Sequence, residues 1–208
     1  MADSDDRLFV FGEFINSGLH DAKWPNRTYA VVSPSTVLPN PPVYFVNDPR
    51  GDHVEIKLIR RLKAEMQRLE EEQAVQESYL GNGSVEIIFF LNYSPCAECS
   101  REIISFLEEY DCFTLTIVFS GLYKVYRRSC GQLCSHPQIL GEANRAGLRM
   151  LVNHGVKLRS FRSRDWRELA SKLCCTEATK AQAKDLTKYR KKKREDMKMK
   201  TDLSTLLG

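Results

Sequence analysis

The sequence predicts an α/β domain built on a five-stranded mixed central sheet with helices on both faces. Three observations carry this. β-rich runs alternate with helical periodicities along most of the chain, residues 85–91 (VEIIFFL) form an almost wholly apolar run, and the first two β-rich runs are joined by a short turn. Strands separated by helices run parallel while a hairpin is antiparallel, so the sheet must mix the two.

The elements follow in order. Residues 28–37 (TYAVVSPSTV) and 43–46 (VYFV) read as a hairpin, because the LPNPP between them cannot sit in a central strand. Ile56, Ile59, Leu62, Met66 and Leu69 then recur at helical spacing and predict an amphipathic helix to about residue 76, ended by Gly81-Asn82-Gly83. The 85–91 run predicts a central strand buried on both faces. Ser94 as N-cap and Pro95 at the first helical position start the next helix, with Ile103, Phe106 and Leu107 on its buried side. A strand at 113–119, a helix at 138–146, a strand at 148–152 and helices at 164–175 and 177–199 complete the series. There is no internal repeat.

With 208 residues, of which 42% are apolar, the chain can bury one full-sized core. No run approaches the roughly eighteen apolar residues of a spanning helix, and the start is acidic instead of a basic leader, so a soluble, unexported protein that does not engage membranes is expected. Seven cysteines, an odd number in a chain of ordinary size, fit reduced thiols and place the protein in the cytoplasm or nucleus. Glycosylation-like triplets at Asn26, Asn82 and Asn92 would matter only on export. The formal charge of +4 is unevenly spread, with acids dominant at 65–77 and bases at 159–200, which permits a polyanionic partner.

The chemistry-bearing residues fall at two predicted helix starts. His53-Val54-Glu55 opens one and Pro95-Cys96-Ala97-Glu98-Cys99 the other. Singly, a histidine or a cysteine pair is ordinary core material. Together they make a metal site: cysteines at i and i+3 share a helix face, and the free N–H groups of a first turn favour thiolate. His53, Cys96 and Cys99 give Zn2+ three ligands and leave the fourth tetrahedral position for a water, the pattern of a catalytic site. Glu55, two residues from His53, points differently on a regular helix and suits proton transfer to that water better than ligation. Without the cysteine pair it would read as an acid stabilising a helix start.

H-x-E followed by P-C-x-x-C is the signature of zinc deaminases. HVE within GDHVEIKLIRRL, and NYSPCAEC with Asn92 and Tyr93 where Ser-Trp is usual, resemble the AID/APOBEC family of polynucleotide cytidine deaminases. The resemblance extends to Asn26-Arg27-Thr28-Tyr29, Gly121-Leu122-Tyr123 and Asn144-Arg145-Ala146-Gly147, and so covers most of residues 20–175. It implies a cytidine-deaminase-like fold and hydrolytic conversion of cytosine to uracil, with Glu55 moving the protons. The implied substrate is single-stranded DNA ahead of RNA, with free cytidine or a catalytically silent zinc protein as alternatives. It assigns substrate contacts to Arg27, Tyr93, Ser94 and Tyr123, and a sugar-contacting asparagine to Asn47, with Asp48 as the neighbouring candidate. It divides the chain into an N-terminal segment (1–20), a catalytic domain (21–176) and a basic C-terminal helix and tail (177–208). An editing or immune role would be typical of the group, and a homo-oligomer is left open.

Two departures stand out. The stretch from His53 to Cys96 is longer than usual, through RLEEEQAVQES, which reads as a solvated helical extension ahead of a partner-binding arm. The loop KVYRRSCGQLCSHP, which in the family reads nucleotides 5′ of the target, carries Tyr126, Arg127 and Arg128, an aromatic beside two cations suited to a flexible strand. Cys130, Cys134 and His136 in the same loop could bind a second metal or pair as a disulfide, though a chance cluster is the plainer reading. The basic run at 188–194 reads as an import signal, a phosphate-binding stripe or a solvated helix face. Leu203, Leu206 and Leu207 lie where an AID-like leucine-rich export signal would sit.

Overall fold

The computed structural model describes residues 4–19, 26–33, 37–38, 41–47, 51–73, 84–125 and 138–208, with backbone alone at 138–140. Among the described residues, seven helices and five strands run in the order α1 (Ser4–Asn16), β1 (Tyr29–Val32), β2 (Phe45–Val46), α2 (Val54–Gln73), β3 (Val85–Tyr93), α3 (Ala97–Glu109), β4 (Phe113–Gly121), α4 (Gln138–Asn153), β5 (Lys157–Ser160), α5 (Ser163–Leu173), α6 (Glu177–Lys192) and α7 (Glu195–Leu207). The sheet order is β2-β1-β3-β4-β5. β1 is antiparallel to both β2 and β3, while β3, β4 and β5 run parallel, so the mixed sheet expected from the sequence is present.

The central run behaves as its composition demands. Phe89 and Leu91 on β3, with Ile117 and Phe119 on β4, bury against α2, α3, α4 and α7; Phe90 and Val118 point the other way, against α1 and α5. Each fully buried aromatic or branched chain contributes roughly 1.5–3 kcal/mol, so this double-sided strand pair anchors both cores. Among the described residues, no helix is long and apolar enough to cross a membrane.

Three expectations need correction, and one element, α1, was not read from the sequence at all. Residues 148–152 are helix: Asn144, Leu148 and Leu151 are buried at helical spacing, and α4 runs on to Asn153, with Gly155 at φ 87° turning the chain away just beyond it. Val156 N–H then reaches back to the Leu151 carbonyl at 3.0 Å, closing the helix end, and the fifth strand falls later, at Lys157–Ser160. The N-terminal segment contains a helix, α1, obscured in the sequence by Gly12 and by Phe9, which stays 61% exposed; Val10, Phe11, Phe14 and Ile15 are its buried face. α3 is capped by Cys96, two residues after Ser94. The last predicted helix is two, α6 and α7, broken at Arg194 with φ 55°. Leu203 and Leu206 on α7 are buried in the core, so they are packing residues as the chain stands folded.

Candidate active site

Two helix starts meet at the ends of the parallel strands. The carbonyl of His53 accepts from Ile56 and Lys57 N–H at 3.1 and 3.2 Å, which makes His53 the cap of α2. Cys96 caps α3, its sulfur accepting from Cys99 N–H at 3.5 Å. Ser100 locks this turn by donating both its N–H and its hydroxyl to the Cys96 carbonyl, each at 2.9 Å. His53 Nδ1 then lies 3.2 Å from Cys99 Sγ and 3.5 Å from Cys96 Sγ, and the three donor atoms all fall within 4.8 Å of one another.

These separations fit zinc. Zn–S bonds of about 2.3 Å and Zn–N bonds of about 2.0–2.1 Å in a tetrahedron place sulfur and nitrogen about 3.5 Å apart. The donor set also carries the proton balance such an ion needs: a hydrogen bond from the Cys99 thiol and the backbone N–H groups of the first turn bring Cys96 down to about 5. Cys99 is pushed up, because it holds the proton shared with Cys96 and is buried. A cation between them would release that remaining proton.

Glu55 follows two residues after His53 and is 3% exposed. Burial raises its carboxyl to about 7, with Cys96 adding to the rise and the backbone N–H and His53 opposing it. A carboxyl in that range can both accept and return a proton near neutrality.

A cavity of about 300 Å³ is lined by His53, Glu55 and Cys96, by Tyr93, Ser94 and Tyr123, and by Asn47. The Tyr93 and Tyr123 rings meet edge to face, centroids 6.0 Å apart at 61°. Ser94, displaced from the predicted helix cap, accepts from Tyr123 N–H at 3.0 Å and so holds the second aromatic against the first. Asn144 ties the same loop to α3, accepting from Ala97 N–H and donating to the Tyr123 carbonyl, both at 3.0 Å. α4 comes this close to α3 because Gly147 has no Cβ; one would stand 2.9 Å from both Ala97 Cα and Ser100 Oγ. Asn92, fully buried, fixes the start of β1 by accepting from Tyr29 N–H at 2.8 Å and donating to the Arg27 carbonyl at 3.0 Å.

Not every residue expected at the site lines it. Arg27 is exposed and its guanidinium engages the Tyr29 hydroxyl, while its neighbours Asn26 and Thr28 face the cavity. Asn47 lines the cavity with its carbonyl oxygen accepting from Thr28 N–H at 2.8 Å. Lys124, which the sequence reading passed over, lines it too and sits over the Tyr123 ring at 5.0 Å. Asp48, Tyr126, Arg127, Arg128, Cys130, Cys134 and His136 lie outside the described residues.

Behind the aromatic side stands a residue from the far end of the chain. Arg190, 1% exposed, donates through Nη1 to the carbonyls of Ile15 (2.6 Å) and Ser17 (2.8 Å), and through Nη2 to that of Ser120 (2.7 Å). Its Nε reaches Asp196 at 2.8 Å, and Asp196 also accepts from Trp166 Nε1 at 2.8 Å. Ser17 in turn hydrogen-bonds the Tyr93 phenol, and Gly121, next to Ser120, lies so close to Tyr93 that a Cβ would meet its ring at 3.2 Å. Arg190 therefore fixes both backbone segments that Tyr93 leans on.

The profile of a family described as Invertebrate-AID/APOBEC-deaminase matches residues 10–207. Similar curated proteins include the C->U-editing enzyme APOBEC-1 of Homo sapiens, 29% identical over 115 residues (55% of this chain, 38% of that protein), and of Rattus norvegicus, 32% identical over 106 residues (51% and 35%). The DNA dC->dU-editing enzyme APOBEC-3Ca of Felis catus is 49% identical over 37 residues, 18% of this chain and 19% of that protein. The matched part of the chain thus spans less than two-fifths of the length of these APOBEC-1 relatives.

Proposed function

The chain belongs to the AID/APOBEC deaminases and has their cytidine-deaminase-like fold, and on that footing we propose that it converts cytosine to uracil in single-stranded nucleic acid, DNA ahead of RNA. The observation that carries the proposal is the buried Glu55 carboxyl beside the His53, Cys96 and Cys99 donors, lining a cavity that Tyr93 and Tyr123 also line.

His53, Cys96 and Cys99 would hold a zinc ion, which when bound would supply a water that gives up a proton readily. Glu55 takes that proton and passes it to N3 of cytosine as the water oxygen bonds to C4. It then moves the second proton to the departing amino group, so that cytosine and water leave as uracil and ammonia. Tyr123 and Tyr93 confine the extruded base between ring face and ring edge, which no flanking sequence is needed to achieve. Ser94 keeps the Tyr123 backbone in place for this, and Thr28 and Asn47 border the side where the sugar enters. The names of the relatives, C->U editing and DNA dC->dU editing, support a polynucleotide substrate over a free nucleoside.

The test compares the parent protein and Glu55→Ala on single-stranded DNA, single-stranded RNA and free cytidine, scoring uracil. The parent should deaminate the DNA, and the variant should lose a factor on the order of 10² to 10⁴ while keeping its zinc. Uracil from free cytidine alone would overturn the polynucleotide reading, and none from any substrate would overturn the catalytic one.

A further inference from the structure

The basic run at 188–194 divides between two directions. Arg190 turns inward, as described, whereas Lys191 and Arg194 turn outward onto a second cavity of about 610 Å³. It lies between β5, the head of α5 and α7, and shares no lining residue with the cavity at His53. Arg162 from the head of α5 and Lys200 from α7 reach the same place.

All four cations are exposed, and among the described residues none is in an ion pair. Asp196 is the carboxylate on that lining, and its oxygens are already taken by Arg190 and Trp166. Arg159, also on the lining, is engaged by Asp165, 3.0 Å from its Nη2. Bringing like charges together from three separate elements works against the fold by repulsion, which a bound polyanion would offset. The turn itself does not ask for arginine: φ of 55° at Arg194 is a conformation that glycine adopts without strain and a side-chain-bearing residue does not. The guanidinium brings something the corner does not need for folding.

We infer that this groove binds the phosphodiester backbone of single-stranded nucleic acid, apart from the cavity that takes the target base. The inference rests on the nucleic-acid reading above but not on its chemistry. The cations stand on long exposed stems, and the lining includes Met197, 68% exposed, as a soft apolar surface. A flexible chain of evenly repeated charge fits such a groove better than a compact nucleotide, which needs a few fixed buried donors.

The experiment uses a labelled oligothymidylate, which contains no cytosine, and follows its anisotropy across a salt series. The groove variant is Lys191→Ala/Arg194→Gly/Lys200→Ala. The matched variant is Lys180→Ala/Lys184→Ala/Lys188→Ala, which removes as many charges from exposed positions of α6 outside the groove. The groove variant should bind about tenfold or more weakly, with the slope of log affinity against log salt reduced by about 2, near 0.7 per lost phosphate contact. The matched variant should change affinity less than about twofold. The groove variant should melt no lower than the parent, since Arg194→Gly relieves the turn. Equal losses in both variants, or no loss in the groove variant, would overturn the inference. So would a nucleoside triphosphate that bound tighter than the strand with the same sensitivity to the groove variant. Uracil formation from a short cytosine-containing strand is read separately: if it fails while the groove effect holds, the catalytic reading falls and the groove stands.

Discussion

The two sides of the active-site cavity are held in place by different means. On the metal side the three donors are set by two helix starts: His53 caps α2, Cys96 caps α3, and Cys99 follows one turn later. On the aromatic side nothing local suffices. Tyr123 depends on Ser94 and Asn144, 29 and 21 positions away, and Tyr93 leans on segments that Arg190 clamps from 173 and 70 positions away. The comparison teaches that the donor set is encoded in short motifs, while the placing of the two aromatic rings is a property of the closed tertiary structure. A point change on the metal side should remove activity with the fold largely kept, and a remote change should loosen substrate binding with the metal kept.

The sharpest way to break this division is Cys99→Ala. The cysteine is 1% exposed, so alanine leaves a small void, but it deletes one of three donors. Zinc measured on the purified variant should fall close to nil and uracil formation to background. A variant that kept stoichiometric zinc and full turnover would show that the donor set has been misassigned.

Arg190→Ala probes the other side. It strands the carbonyls of Ile15, Ser17 and Ser120 and leaves Asp196 facing Trp166 alone, a broken buried pair worth about 3–5 kcal/mol. Urea unfolding should show that loss, and Arg190→Lys should recover only part of it, because an ammonium cannot reproduce the fork that spans two backbone segments. Below its melting range the variant should still bind zinc but hold a single-stranded oligonucleotide less tightly. Loss of zinc from the folded variant would erase the distinction between the two sides.

The same contrast explains what could be read from the sequence. The sheet and the two ligand-bearing helix starts follow from local patterns: an apolar run at 85–91, helical spacing from Ile56 to Leu69, and H-x-E with P-C-x-x-C. Where local and tertiary signals competed, the local one misled. Ser94-Pro95 looks like a helix start, yet the Ser94 hydroxyl is committed to Tyr123 N–H, which only the folded chain brings near. The β-tolerant letters at 148–152 were absorbed into α4, whose buried Asn144, Leu148 and Leu151 keep one face on the core. Arg190 sits in a run of cations that composition assigns wholesale to solvent or phosphate, and nothing in its neighbours reveals that it alone is 1% exposed. Arg27 and Thr28 are neighbours in the segment just ahead of β1, yet of the two only Thr28 lines the cavity, a difference the sequence does not encode.

Asn144 bridges the two sides, so it offers the finest test. Its carbonyl oxygen accepts from Ala97 N–H in the first turn of the metal-bearing helix, and its amide nitrogen donates to the Tyr123 carbonyl. Asn144→Asp keeps an acceptor for Ala97 N–H, where a helix N-terminus favours negative charge, but it turns a lone pair toward the Tyr123 carbonyl and leaves that group unpaired. The expected cost is about 1–3 kcal/mol, felt mainly on the aromatic side. Zinc content should match the parent, while oligonucleotide affinity falls severalfold. Asn144→Ala removes both bonds and should lower stability further, with Ala97 and therefore the Cys96 cap also loosened. If the two variants weakened zinc retention equally, the two sides would be one cooperative unit and the division drawn above would fail at this residue.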